Sequence, residues 1–237
     1  MSPTRWAINY MKELGARILL NAMRHKAQDD RRRLEELSRL VERTLPAERK
    51  RRNATAGREI QKTTDEYDAW FLAECHAEDI YQVEVDFPRL QRYALVVSMM
   101  GMVEANVVGF CRAARRIFAI ADEFNDLTPR VIARGVQYLE RYAGVDTARF
   151  RCYVNLAEDL SRVRNCIVHS EGSLKNRKDA DMIKAFVKTI PSLVVDDHDR
   201  LLPKQGFVEN STHEMHNLLN RLHDALRKNV DTQLGRK

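Results

Sequence analysis

Apolar side chains recur every three or four residues along most of the chain. Trp6, Tyr10, Leu14 and Ile18, then Leu34, Leu37, Leu40 and Val41, follow this step through residues 5–44, split by the charged tract HKAQDDRRR. The period matches one face of an α-helix, so the segment is expected to be one long helix or two joined end to end. Pro46 should stop that helix or start another, because proline removes a backbone donor. Residues 47–82 read as further helix, with Gly57 as a weak point. From Pro88 onward, PRLQRYALVVSMMGMVEANVVGFCRAARRIFAIADEF is apolar on nearly all sides in its middle, which predicts the central, most buried helix.

The pattern continues as shorter helices. Thr128 and Pro129 suit an N-cap and a first-turn proline ahead of RVIARGVQYLERYAG, and Gly144 suits its C-terminal stop. Asp146 or Thr147 can cap ARFRCYVNLAEDLSRVRNCIVHSEG. A short helix is expected around 177–189. In IPSLVVDDHDRLLPKQG, two apolar runs flank DDHD, which predicts a small β-hairpin near 192–202. Ser211 to Glu214 has capping-box spacing and is expected to open a last amphipathic helix through Leu218, Leu219, Leu222 and Leu226. The fold class expected is all-α: a helical bundle over 88–237, with residues 1–87 as a basic helical extension packed on or beside it. The chain shows no repeat and no linker that separates independent units.

Composition agrees with this reading. Of 237 residues, 44% are hydrophobic and 31% charged, and nine glycines and six prolines punctuate the chain too rarely for a sandwich or barrel. Cys75, Cys111, Cys152 and Cys166 lie 36, 41 and 14 residues apart, without the close pairs of zinc or redox sites, and read as reduced, buried thiols. Lys12, Glu13 and Arg17 break the first apolar run, so it is neither a signal peptide nor a membrane span, and a cytoplasmic location without a membrane partner is expected.

Charge adds a candidate partner. The net charge is +6, and residues 24–52 hold eleven Lys and Arg against six Asp and Glu. Arg31, Arg32, Arg33, Arg49, Lys50, Arg51 and Arg52 are candidates for binding RNA, since neutralising phosphates releases counterions. The other reading of such a tract is a solvated helix face.

Two features carry candidate chemistry. Glu104 stands in the apolar run VVSMMGMVEANVV. It either surfaces on that helix's exposed strip or pairs with Arg162 or Arg164, since an unpaired buried carboxylate costs several kcal/mol. The second feature is SRVRNCIVHSEG at 161–172. At about 3.6 residues per turn, Glu158, Arg162, Asn165 and His169 share one helix face, while Leu156, Leu160, Val163 and Ile167 form the opposite, core-facing stripe. Arg164 points roughly 140° away from His169 and reaches that face through its long side chain, a frayed last turn or a second subunit. A histidine near neutral pKa can move protons, and an arginine can fork to phosphate oxygens and offset developing charge. Both residue types also favour helix C-termini for electrostatic reasons alone.

RNCIVH at 164–169, followed by Gly172 late in an all-α chain, resembles the signature of the HEPN superfamily. Its pattern is an arginine, four to six residues, then a histidine. Arg164 fits with four intervening residues and Arg162 with six, and Asn165 matches the asparagine frequent after the arginine. The resemblance covers roughly residues 88–230. It implies a bundle that dimerises so that two motifs face one another, and a metal-independent endoribonuclease of anti-phage defence, toxin–antitoxin or RNA-processing systems, needing no cofactor. It implies His169 as the acid and base, Arg164 as the phosphate-binding and charge-stabilising group, Asn165 as a positioning residue, and Arg162 as a second candidate for the arginine role. Glu104 and Glu158 would support them. Some toxins of the family carry a tyrosine two residues after the histidine that a partner nucleotidyltransferase modifies; Glu171 stands there in this chain. The family also includes inactive members, so the alternative is a non-catalytic module that binds RNA or a protein partner, such as an antitoxin or defence-system component.

His213, His216 and His223 on the last helix are spaced to share a face, but no acidic or cysteine ligand stands at matching spacing, so no metal is expected there. His198 in DDHD is expected in a solvated turn. No glycine-rich phosphate loop, G-x-S-x-G elbow or zinc-type histidine pair appears, which leaves ATPase, α/β-hydrolase and metalloprotease readings unsupported.

Overall fold

Helix α1, Pro3–Lys62, runs unbroken through Pro46. The computed structural model describes the backbone of residues 3–125 and 130–234, so the expected cap and first-turn proline at Thr128 and Pro129, and the side chain of Trp6, lie outside what is described. Pro46 is on the exposed side of α1, and the helix carries on through it despite the lost backbone donor. The inner face of α1, at Ala16, Leu20, Ala27 and Leu34, is buried in the core.

The first break is at Thr63–Thr64 rather than at Gly57. Asp65 Oδ1 accepts hydrogen bonds from the backbone N–H groups of Tyr67 at 2.9 Å and Asp68 at 3.0 Å, and this cap starts α2, Glu66–Tyr81. Helix α2 folds back on the distal part of α1, with His76 Nε2 at 2.9 Å from Glu59 and Arg49 Nε at 2.6 Å from Glu84 in the turn beyond. A π-type turn at Gln82–Asp86 then leads directly into α3, Phe87–Phe118. The helix spanning 66–118 is long and apolar enough to cross a membrane, and 56% of its apolar window is buried inside the protein. Its middle is indeed the core: Val96, Met99, Met100, Val103, Val107 and Phe110 are buried. Each such side chain contributes roughly 1.5–3 kcal/mol when fully buried.

Helix α4, Val131–Ala143, ends at Gly144 in the left-handed region as expected. It crosses α3 so closely that a Cβ on Gly135 would lie 2.4 Å from Val107 Cγ1. Asp146 Oδ1 accepts from Ala148 N at 3.0 Å and opens a 3₁₀ turn at Ala148–Phe150, which leads into α5, Arg151–Ser170. Helix α6 is Ala180–Val187. Strand β1, Leu193–Val195, pairs antiparallel with β2, Leu201–Pro203, with Leu193 opposite Pro203. The fold is all-α with one small hairpin, and His198 is exposed in its turn.

Helix α7, Phe207–Leu234, starts before the expected cap at Ser211. Phe207 and Val208 are buried and anchor the first turn in the core, so Ser211 and Thr212 become buried helix residues. Helix α7 packs against α1 and α3 around a cavity of about 20 Å³ lined by Ala27, Leu34, Met99, Val103, Met215 and Leu219 among others. His216 and His223 are buried, whereas His213 is exposed, so the three do not share a face. Burial, Arg31 and His213 together lower the His216 pKa. Among the cysteines, Cys111 and Cys166 are buried, but Cys75 and Cys152 are exposed because they fall on the outer faces of α2 and α5.

Candidate functional site

Helix α5 buries Val154, Ala157, Leu160, Val163, Cys166 and Ile167, while Leu156 from the expected stripe is half-buried. This rotation sets Glu158, Arg162 and Asn165 at the half-buried margin and leaves His169 exposed on the last turn. The His169 imidazole is exposed and makes no hydrogen bond or ion pair among the described residues, which leaves its ring nitrogens open to a ligand.

Arg164 turns toward α3. Its Nη1 donates to Asn165 Oδ1 at 2.9 Å, and its Nη2 lies 3.8 Å from Glu104 Oε2. Of the two readings of Glu104, the structure therefore has the ion pair, and with Arg164 rather than Arg162. The side chains are 29% and 25% exposed, so solvent screens the pair only in part. Arg164 Nε is buried without an acceptor. Arg162 is held on its own helix, bonded to Asp159 and 3.9 Å from Glu158. It is thus neutralised by two carboxylates, which makes it the weaker candidate for phosphate.

The end of α5 is fixed by a junction that the motif alone does not announce. Glu171 enters the left-handed region at φ 50°, and its N–H and that of Gly172 both turn back to the Cys166 carbonyl. Gly172, at φ 79°, lies flat against Tyr93 of α3; a Cβ there would fall 1.9 Å from Tyr93 Oη. The Tyr93 hydroxyl donates to the Leu201 carbonyl, and Leu201 N–H donates to the Gly172 carbonyl at 2.9 Å. Burial pushes the Tyr93 pKa up to about 12, so it remains a donor. The helix end, the central helix and the hairpin thus meet at one point just past His169 in the chain.

A second group flanks it. Arg177 forks to Asp179 at 2.9 Å through each of two nitrogens and reaches Ser170 Oγ at 3.1 Å. Hydrogen bonds from Arg177 lower the Asp179 pKa. Lys175 and Lys178 are exposed beside it, so the loop 175–178, KNRK, brings cations to the end of the motif helix. The signal was three cations in four residues right after the motif, overshadowed by the longer basic tract in α1.

That tract is largely self-neutralised. Arg31 pairs with Glu35 at 2.6 Å, Arg32 with Asp29 at 3.8 Å, Arg49 with Glu84 at 2.6 Å, and Arg51 and Arg52 with Glu48 at 2.7 and 3.0 Å. Hydrogen bonds from Arg51 and Arg52 hold the Glu48 pKa down at about 2. Arg33 and Lys50 have no carboxylate partner among the described residues. Helix α1 packs chiefly on α7, α3 and α2, whereas α5 packs on α3, α7 and α4. No hydrogen bond or ion pair joins the α1 tract to the motif among the described residues. No group of three or more His, Cys, Asp or Glu is placed to hold a metal ion among the described residues. No family model matches this chain, and neither a curated protein nor a solved structure matches it significantly.

Proposed function

We propose that this chain is an endoribonuclease of HEPN type that needs no metal and acts in the cytoplasm as a homodimer, an effector of anti-phage defence or toxin kind. The observation that carries the reading is the end of α5. The His169 imidazole, exposed and without a partner among the described residues, stands on a turn locked by Gly172 and Tyr93, while the Arg164 guanidinium is oriented by Glu104 and Asn165. An arginine held by hydrogen bonds loses less entropy when it forks to a phosphate.

In the proposed reaction, RNA supplies its own nucleophile. A His169 imidazole removes the proton of a ribose 2′-hydroxyl as its oxygen attacks the adjacent phosphorus. The 2′-O–P bond forms and the P–O5′ bond breaks, leaving a 2′,3′-cyclic phosphate. The 5′-oxygen takes a proton from a second imidazolium, that of His169 on the other copy. Arg164 offsets the charge developing on the non-bridging oxygens. The exposed Val168 and Met182 beside the motif are the surface on which a second copy would close.

The test is incubation with total RNA in EDTA, comparing the native chain with His169→Ala. Loss of cleavage with an unchanged thermal midpoint, and 2′,3′-cyclic phosphate ends only with the native chain, is the expected result. Full cleavage by His169→Ala would refute the mechanism. The rival reading, a non-catalytic module for RNA or a protein partner, draws on the carboxylates that engage both Arg162 and Arg164. It predicts no cleavage by either protein.

A further inference from the structure

Helix α2 buries none of its 16 residues. Its inner face, at Ala69, Leu72, His76 and Ile80, is half-buried and meets α1. At about 100° per residue, Tyr67, Trp70, Phe71, Glu74, Glu78 and Tyr81 fall on the side directly opposite. The four rings are 70%, 58%, 54% and 53% exposed, and those of Tyr67 and Trp70 lie 6.1 Å apart. With rings of this size, the exposed aromatic surface is about 450 Å², as large as the largest apolar patch of a typical monomer. A scattered exposed aromatic needs no explanation; four along one helix stripe do.

The charge on this helix narrows the occupant. Helix α2 carries Glu66, Asp68, Glu74, Glu78 and Asp79 and no lysine or arginine, in a chain whose net charge is +6. Carboxylates among the rings repel phosphate, which disfavours RNA and anionic lipid at this face. A second copy fits poorly too. Pairing two α2 stripes sets Glu74 and Glu78 against their own counterparts. The α1 arginines that could answer them, Arg49, Arg51 and Arg52, already pair with carboxylates of their own chain.

We propose that the outer face of α2 docks a partner protein's amphipathic helix, one whose contact face alternates apolar side chains with lysine or arginine. The rings supply anchors, Trp and Tyr being the side chains that most often dominate such interfaces. Glu74 and Glu78 sit between the cluster Tyr67, Trp70 and Phe71 and the single ring of Tyr81, so they set the register of the incoming cations. This face lies on α2, away from α5, so the proposal is independent of whether the motif cleaves RNA.

The experiment uses the full chain and two labelled peptides of about 18 residues, above the length at which isolated helices become marginal. One has leucine and lysine at helical spacing, the other leucine and glutamate, and binding is read by fluorescence anisotropy. The native chain is expected to bind the lysine peptide and not the glutamate one. Trp70→Ala/Phe71→Ala weakens binding at least about tenfold, with an unchanged thermal midpoint because both rings are exposed. Glu74→Lys/Glu78→Lys inverts the preference, which a loss of folding cannot do. Equal binding of both peptides by the native chain, or variants that leave the lysine peptide's affinity unchanged, would overturn the proposal. So would a native dimer that Trp70→Ala/Phe71→Ala dissociates, or an oligouridylate or phosphatidylglycerol vesicle whose binding is lost in that variant; those results assign the face to a second copy, to RNA or to lipid.

Discussion

Replacing Gly172 by alanine tests whether the end of α5 is held as described. The new Cβ would meet Tyr93 Oη at 1.9 Å, Cζ at 2.6 Å and Cε2 at 3.1 Å, so either the ring or the turn must move. Three penalties combine. A non-glycine residue at φ 79° costs roughly 1–2 kcal/mol. Displacing a packed ring in the core costs roughly 1–3 kcal/mol. Moving the Tyr93 hydroxyl leaves the Leu201 carbonyl without its donor, costing roughly 1–3 kcal/mol. Partial relaxation shares these terms, so the expected loss is about 3–5 kcal/mol, or about 6–20 °C in Tm for a chain of this size. Urea denaturation followed by circular dichroism measures it. Tyr93→Phe removes the atom that clashes worst, so the double variant should lose less than the two single variants summed. A Gly172→Ala protein within about 1 kcal/mol of the native chain, or strict additivity in the double variant, would show that the junction does not constrain the helix end.

Gly57→Ala is the contrast: beyond its chain neighbours and the adjacent helix backbone, nothing lies within 4 Å of the place on α1 that its new methyl group would take, so the change should stabilise by up to about 1 kcal/mol, read as a rise in the urea midpoint. Glu104→Gln removes the charge that holds Arg164 while keeping its shape; stability should fall by about 1 kcal/mol or less, given the partial exposure of both partners. If Arg164 binds phosphate, the same variant should change RNA cleavage more than stability, and equal retention of cleavage would remove Glu104 from the site. His216 is held below its ordinary pKa of 6.5, chiefly by burial and then by Arg31 and His213, so the unfolded chain binds its proton more readily. Its contribution is therefore complete above about pH 6.5 and is lost as pH falls below that value. Urea midpoints at pH 7.5 and 5.5 should differ less in His216→Leu than in the native chain.

The local rules reached far along this chain. Helical periodicity located the central helix and the motif helix with most of its buried stripe, and two short apolar runs flanking a turn located the hairpin, because each depends on residues close in sequence. The face shared by Arg162, Asn165 and His169 followed from the same geometry. Where the local rules failed, a distant contact had overruled them. Pro46 removes a donor and crowds the preceding turn, yet α1 continues through it with the ring on the exposed side. Ser211 has cap spacing, yet burial of Phe207 starts α7 earlier. Cys75 and Cys152 were expected inside, and the orientation of their helices puts them outside.

What the sequence determined by itself is therefore the kind and order of the elements and which residues share a helix face, since period and caps are properties of neighbouring positions. Only the tertiary structure decided which charges meet between elements. It joined Arg164 to Glu104 across sixty positions, brought Arg49 of α1 to Glu84 in the turn beyond α2, set Tyr93 against Gly172 and left one face of α2 bare. A charged side chain takes the best partner within reach; inside a helix that reach is set by spacing, as for Arg31 with Glu35, and between helices by how they pack.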